Sequence, residues 1–249
     1  MTRRRWIADE VHGNTAALTG EHAFHLSRVL RAQAGQEFDI ATGNAVRLGK
    51  ITSISDDRVE FALGAELAAK PLPRLTLVLA IFKFDRMEWA IEKCTEIGAT
   101  RIVPLTARRT DSHLAAAAGK RRERWQRIAR EASEQARRAA PPEISAPIKF
   151  ADLGTAQMSP VAQAGVDTTA TRIVLAESDG EARLREILGA RAGDARQVIL
   201  ATGPEGGWAD EEMSWFRQAG WAAASLGVTI LRAETAAIVA TALALDALE

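Results

Sequence analysis

Apolar residues from position 74 onward come in short unbroken runs, separated by stretches in which they recur at helical spacing. The runs at 75–82, 102–105, 173–176, 198–202 and 222–226 are too short for buried helices and show no polar alternation. Each therefore predicts a strand buried on both faces. Between and after them, 120–139, 210–219 and 234–248 predict helices. A further helix starts at Asp85, which can cap it; Met87, Ile91, Cys94 and Ile97 share one face, and Gly98 ends it. Strand and helix in alternation predict an α/β domain whose parallel sheet is covered on both sides.

The first 69 residues follow another rhythm. Segments 37–41, 46–54 and 58–63 predict short strands, with Thr42-Gly43-Asn44 and Ser55-Asp56-Asp57 as turns. Ahead of them, 20–31 predicts a helix with Phe24, Val29 and Leu30 as its apolar positions. Pro71 and Pro73 suit an extended linker. The expected division is a small β-rich domain at 1–69 and an α/β domain at 74–249. Segment 155–171 has no pattern and predicts a surface loop or a weak helix.

At 249 residues, 47% hydrophobic and 26% charged, the chain has an ordinary soluble composition with room for a sizeable core. No apolar run reaches the roughly 18 residues of a membrane span, and the basic start Arg3-Arg4-Arg5-Trp6 has no apolar stretch behind it. No membrane partner and no secretion are expected. The single cysteine, Cys94, cannot form an internal disulfide, which points to the cytoplasm, and no histidine spacing predicts a metal site. The net charge of zero conceals a polarity: residues 101–149 hold 12 Lys and Arg against 5 Asp and Glu, and residues 150–249 hold 7 against 14. The basic block can attract phosphate even on a neutral molecule.

Two C-terminal segments carry candidate chemistry. The run at 198–202 breaks at Gly203-Pro204-Glu205-Gly206-Gly207, a turn that would present backbone N–H groups at the C-terminal edge of a parallel sheet. No Gly-Lys-Ser/Thr is present, which excludes a P-loop, and no Gly-x-Gly-x-x-Gly supports a dinucleotide site. Further on, Leu226-Gly227-Val228-Thr229-Ile230-Leu231-Arg232 opens an alanine-rich helix. Arg232 sits where the helix dipole disfavours a cation, so it either faces solvent or serves a carboxylate or an RNA phosphate. Helix 234–248 is apolar nearly all round, as a core or subunit-interface helix would be.

These loops do not stand alone. With Arg3-Arg4-Arg5-Trp6, His25-Leu26-Ser27-Arg28-Val29-Leu30-Arg31, Lys93-Cys94-Thr95-Glu96-Ile97-Gly98, Ile102-Val103-Pro104-Leu105, Glu131-Ala132-Ser133-Glu134-Gln135 and Pro142-Glu143-Ile144, the chain resembles the RsmE family. These are bacterial methyltransferases that modify N3 of a uridine in small-subunit ribosomal RNA. The resemblance implies a SPOUT-type α/β domain, with a trefoil-knotted parallel sheet, behind an N-terminal PUA-like RNA-binding β-barrel. It implies S-adenosylmethionine as cofactor and a homodimer acting on small-subunit ribosomal RNA within the 30S particle. Carried onto this chain, the cofactor contacts are Leu175, Thr202, Gly203, Glu205, Gly206, Gly207, Leu226, Gly227, Ile230, Leu231 and Arg232. Two stretches depart from the family pattern. Glu134-Gln135-Ala136-Arg137-Arg138 has Arg137 in place of a glycine, and Arg108-Arg109-Thr110-Asp111-Ser112 matches an Arg-Ser pattern only in part.

The candidate RNA contacts are Arg3, Arg4, Arg5, Arg28, Arg109, Arg130, Arg137 and Arg138. On helix 120–139, Trp125, Ile128, Ala129, Ala132 and Ala136 form an apolar face, while Arg127, Arg130, Glu134, Arg137 and Arg138 share another. Pairs such as Glu134 with Arg138 give that face a purely structural reading beside the phosphate-binding one. Trp6 either stacks on an unpaired base or anchors the terminus; His25 is a structural or RNA-contact residue. Methylating a ring nitrogen needs the base unstacked, its proton removed and donor and acceptor aligned. Arg232 and Arg138 are candidates to stabilise charge on the base, and Glu205 or Glu177 to take its proton. Two rivals share these features: an enzyme methylating a ribose 2′-oxygen, and a non-catalytic RNA-binding assembly factor.

Overall fold

The computed structural model describes residues 5–43, 45–68, 72–154, 170–176, 181–190 and 197–248. Arg3, Arg4, Glu177 and most of segment 155–171 lie outside the described residues. The chain divides into two compact units, residues 1–71 with 130–141, and residues 72–129 with 142–249.

The first unit is a six-stranded sheet of β1 (Arg5–Ile7), β2 (Glu10–His12), β3 (Thr15–Thr19), β4 (Glu37–Ala41), β5 (Val46–Ile54) and β6 (Arg58–Leu67), in the order β1-β4-β5-β6-β3-β2. The β1–β4 pair is parallel and the others are antiparallel. Val59, Phe61 and Leu63 alternate along β6 and pack with Leu18, Ile40 and Ile51. Strands β1–β3 escape a reading of the pattern because each is short, and the apolar residues of β1 (Trp6 and Ile7) and β3 (Ala16, Ala17 and Leu18) are adjacent rather than alternating. Helix α1 (Gly20–Phe24) runs into a π-helical turn, His25–Val29. Ala23 and Leu26 supply its buried side, while Phe24, Val29 and Leu30 face solvent. Trp6 is buried, its ring edge-on to His22 and His25, so it anchors the terminus and does not offer a face for a base.

Residues 130–141 complete this unit rather than the α/β one. Arg130 donates to the Ile7 carbonyl at 2.6 Å and pairs with Asp9 at 2.8 Å, and Ala139 packs on Ile7, Ala41 and Val46. These partners lie more than ninety positions away in the chain, where no local pattern reports them.

The second unit is an all-parallel sheet. It contains β7 (Arg74–Ala80), α2 (Phe84–Ile97), β8 (Arg101–Thr106), α3 (Ser112–Gln135, its last turn belonging to the first unit), β9 (Glu143–Ile144), β10 (Ile148–Lys149), β11 (Thr171–Leu175), β12 (Ala182–Arg183), α4 (Leu184–Gly189), β13 (Gln197–Thr202), α5 (Asp210–Gln218), β14 (Ala222–Ser225) and α6 (Ala233–Leu248). Its order is β10-β8-β7-β13-β11-β14-β12, with β9 beside β8. Leu75, Leu77 and Leu79 point to a core shared with Ile91, Cys94 and Trp125, whereas Val78 and Ala80 point to one shared with Ile199, Trp208 and Phe216. Each fully buried leucine contributes about 1.5–3 kcal/mol by leaving water, so both faces must be covered. Cys94 is part of this packing; burial pushes its thiol up to about 12.

Three helices differ from their expected form. Helix α2 is entered from Lys83 with no side-chain cap, and Asp85 lies inside its first turn, where its charge suits the helix dipole. Helix α3 starts at Ser112 because the Asp111 carboxylate accepts the His113 N–H at 2.8 Å, and alanines follow. It stops at Gln135 because Arg137 adopts φ +56° and the Arg138 N–H closes on the Ser133 carbonyl at 2.9 Å. Arg137, at the position where the family pattern has glycine, keeps a glycine-like backbone. Helix α6 buries Ala237, Ala240, Ala244 and Leu245, but Val239 and Leu243 stay exposed.

Candidate functional site

Strand β11 lies between β13 and β14 in the sheet, so the C-terminal ends of all three meet. Thr202 ends β13, Leu175 ends β11 and Ser225 ends β14. The two glycine loops leave from the outer pair and enclose a cleft of about 1200 Å³. All eleven residues carried over as cofactor contacts line it.

The local sequence explains the loop shapes. Gly207 takes φ +69° and donates its N–H to the Pro204 carbonyl at 2.8 Å, closing the turn. At Gly203 a β-carbon would stand 3.2 Å from the indole nitrogen of Trp208. That buried indole donates to the Leu175 carbonyl at 3.0 Å, tying the turn after β13 to the end of β11. Gly227 has φ +154°, and Arg183 reaches back to donate to the Leu226 carbonyl at 3.4 Å. Arg109 donates to the Gly206 carbonyl at 2.9 Å. Buried Glu212 accepts the N–H groups of Arg108 and Ala209, each at 2.8 Å, which joins the loop after β8 to the start of α5.

Part of the charge in the cleft is paired within the chain. Arg86 donates to Glu205 at 2.8 Å and lies 3.9 Å from the buried Glu234. Arg86, Arg183 and Trp208 were not legible as site residues, since only the tertiary fold brings them beside the glycine loops. Arg232 is exposed at the start of α6 and lines the cleft. The buried Thr202 hydroxyl and Glu234 Oε2 have no hydrogen-bond partner among the described residues. A buried polar atom without a partner is costly, and a ligand that supplies one removes that cost. Leu175, Leu226 and Leu231 provide apolar wall, and Glu181, Glu205 and Asp210 provide acid. This donor set fits a ligand with a flat apolar ring system, hydrogen-bonding groups and a cationic centre. Among the described residues no His, Cys, Asp and Glu group could hold a metal ion.

The other arginines have separate fates. Arg28 grips Asp56 with two nitrogens, at 2.8 and 2.6 Å. Arg5 pairs with Asp39 at 3.8 Å and also donates to the Arg137 carbonyl. Arg138 is buried in the first unit, where desolvation pulls its guanidinium down to about 10. Arg130 works in a half-buried network with Asp9, His22 and Glu134; Glu134 pairs with Arg130 at 3.6 Å and His22 at 3.8 Å. The hydrogen bond to Asp9 raises the His22 imidazole above its ordinary value, against the pull of burial. Burial works against ionising Asp9, but the His22 bond, the Thr19 N–H and Arg130 together hold it below the usual carboxylate range. Burial pushes Glu134 up.

With this geometry in view, comparison places the molecule. Residues 69–245 match the RNA methyltransferase domain family. The chain is 37% identical over 234 residues to ribosomal RNA small subunit methyltransferase E of a Synechocystis species, covering 92% of this chain and 72% of that protein. It is 32% identical over 238 residues to the Mycobacterium bovis protein of the same name, covering 92% and 85%. The crystal structure of the Neisseria gonorrhoeae ribosomal RNA small subunit methyltransferase E bound to S-adenosylmethionine superposes with a TM-score of 0.80 at 25% identity, covering 97% of this chain and 96% of that one. The chain belongs to the ribosomal RNA small subunit methyltransferase E family.

Proposed function

We propose that the cleft at the ends of β11, β13 and β14 binds S-adenosylmethionine and that the chain methylates N3 of a uridine in small-subunit ribosomal RNA. Membership of the family makes the chain an S-adenosylmethionine-dependent ribosomal RNA methyltransferase. The observation that carries the site is the convergence of both glycine loops on one cleft whose buried Thr202 hydroxyl lacks a partner. The bound cofactor supplies a methyl group activated by a sulfonium. The chain's own residues do the rest. Backbone groups of 203–207 and 226–232 hold the ligand, Leu175, Leu226 and Leu231 exclude water from its ring, and Thr202 fixes its orientation. Arg232 offers guanidinium donors where negative charge develops on the base. We assign Glu205, which accepts a hydrogen bond from Arg86, to take the imide proton.

Further features support the finer architecture. Strand β11 precedes β13 and β14 in sequence yet lies between them, so the chain must cross it to reach β14; we place the SPOUT trefoil knot there. The six-stranded first unit is read as the PUA-like barrel. Exposed Val239 and Leu243 on α6, with Trp89 and Ile97 on α2, form the face we assign to a homodimer. Among the described residues no helix is long and apolar enough to cross a membrane, and the 30S particle in the cytoplasm is the proposed setting. The test is transfer of labelled methyl to 30S particles from cells lacking the modification, followed by nucleoside mass spectrometry. N3-methyluridine is the expected product. A 2′-O-methyl nucleoside would replace this reading with ribose methylation, and no incorporation at all would reject it.

A further inference from the structure

One guanidinium joins the two glycine loops. Arg86 Nη1 donates to Glu205 Oε1 at 2.8 Å, and Glu205 belongs to the turn after β13. Arg86 Nε lies 3.9 Å from Oε1 of Glu234, the second residue of α6, which follows the loop at 226–232. Arg86 comes from neither loop but from the first turn of α2, where the helix dipole disfavours a cation. Glu234 is the unexplained member of the three. It is 4% exposed, its Oε2 has no hydrogen-bond partner among the described residues, and 3.9 Å is too long for a hydrogen bond to Oε1. The N-terminus of α6 favours a carboxylate, but an exposed one would serve the helix equally without being desolvated. A carboxylate buried with so little bonding costs stability, so folding alone gives no reason to keep it there. Such costs are retained where function needs the group.

The need lies at Glu205. The Arg86 and Glu205 side chains are 31% and 39% exposed, and an ion pair so open to water holds its geometry loosely. The bond from the Gly207 N–H to the Pro204 carbonyl fixes the main chain of the turn and not the Glu205 side chain. A group that takes a proton from a ring nitrogen must be held in place, since a displacement of about 1 Å can cost about 100-fold in rate. Glu234 is not among the residues lining the cleft, whereas Arg86 and Glu205 are. Any effect of Glu234 on the chemistry therefore passes through Arg86.

We propose that Glu234 is a positioning residue for methyl transfer: it anchors the Nε end of the Arg86 guanidinium, and Arg86 in turn holds the Glu205 carboxylate to receive the imide proton. This rests on the reading of Glu205 as the base. The test is single-turnover transfer of labelled methyl to 30S particles lacking the modification, at saturating S-adenosylmethionine. Glu234→Gln, Arg86→Met and Glu205→Gln are compared with the unaltered protein, as are the first two each combined with Glu205→Gln. Melting temperature and calorimetric cofactor affinity are measured on every variant. Glu234→Gln keeps the shape and loses the charge; it should slow transfer about tenfold, and Arg86→Met at least as much. The melting temperature of Glu234→Gln should hold or rise, because a poorly bonded buried charge is gone. In the Glu205→Gln background neither substitution should slow transfer by more than about twofold further, because residues that act as a unit are not additive. A purely structural Glu234 gives the reverse, a lower melting temperature with an unchanged rate, and that result overturns the proposal. Losses that multiply in the double variants overturn it too, since Glu234 and Arg86 would then act independently of Glu205. An Arg86→Met loss confined to cofactor affinity would make Arg86 a cofactor contact and break the linkage. If Arg86→Met does not fold, the Glu234 cycle decides alone. Glu205→Gln as fast as the parent rejects the base assignment, and an unaltered protein that transfers no methyl rejects the methyltransferase reading. Both differ from failure of the linkage itself, in which Glu205→Gln is slow and Glu234→Gln is not.

Discussion

Single atoms decide much of the candidate chemistry. The Thr202 hydroxyl is buried and unpartnered, so Thr202→Val removes nothing the folded chain uses by itself. Its melting temperature should hold or rise, while S-adenosylmethionine affinity measured by calorimetry should fall about five- to tenfold, the worth of one hydrogen bond. Unchanged affinity would take the hydroxyl out of the cofactor site. Of the two carboxylates put forward for the proton, Glu205 is the one among the described residues, and Arg86 donates to it at 2.8 Å. Glu205→Gln keeps the shape and hydrogen bonding but cannot accept a proton. Single-turnover methyl transfer at saturating cofactor should slow by about 100-fold or more; an unchanged rate would exclude Glu205 as the base.

At the level of elements, loops and helix faces set the behaviour. Gly227 holds φ +154°, and a β-carbon there would also stand 3.1 Å from the Arg183 guanidinium. The guanidinium can swing away, so the lasting cost of Gly227→Ala is backbone strain, about 1–3 kcal/mol. We expect a lower melting temperature in circular dichroism and at least tenfold weaker cofactor binding, because the loop that forms half the cleft must shift. Helix α6 makes a separate prediction. Its buried alanines pack in the core, whereas Val239 and Leu243 are a turn apart on the open face. Replacing both with glutamate should leave the monomer fold intact and shift sedimentation from dimer to monomer. A parent protein that already sediments as a monomer would refute the proposed interface.

The whole molecule should show its half-buried network in its response to pH. His22 is raised above its ordinary 6.5, chiefly by Asp9. A raised group stabilises the fold fully below about 6.5 and loses that contribution as pH rises through the folded value. Asp9 is held below 3.8, so its contribution is present above that value and is lost only as pH falls through the lower folded one. Between about pH 6 and 8 only the His22 term changes among these two. The melting temperature of the parent should therefore decline more steeply over that interval than that of His22→Gln. Parallel declines would show that the pair does not couple to folding.

Much of this protein is legible along the chain because local rules suffice. Unbroken apolar runs must be buried on both faces, so the parallel sheet of the second unit follows from β7, β8, β11, β13 and β14. Gly203–Gly207 and Gly227 mark the loops because close turns need residues without a β-carbon, and family resemblance joins them into one cofactor site. Other features depend on distance in sequence. Nothing local tells that Arg130 pairs with Asp9, that residues 130–141 belong with the first unit, or that Arg86 and Trp208 stand beside the glycine loops. The three short strands β1–β3 carry too few alternating positions to announce themselves. The exposure of Phe24 and the left-handed turn at Arg137 were likewise invisible, since apolar spacing reports that a face exists and not what covers it. The chain by itself determined which segments must be buried and where its backbone must turn. Only the tertiary structure decided which ends meet, which charges are spent on one another, and which remain for a ligand, because those outcomes rest on contacts between residues that the chain holds far apart.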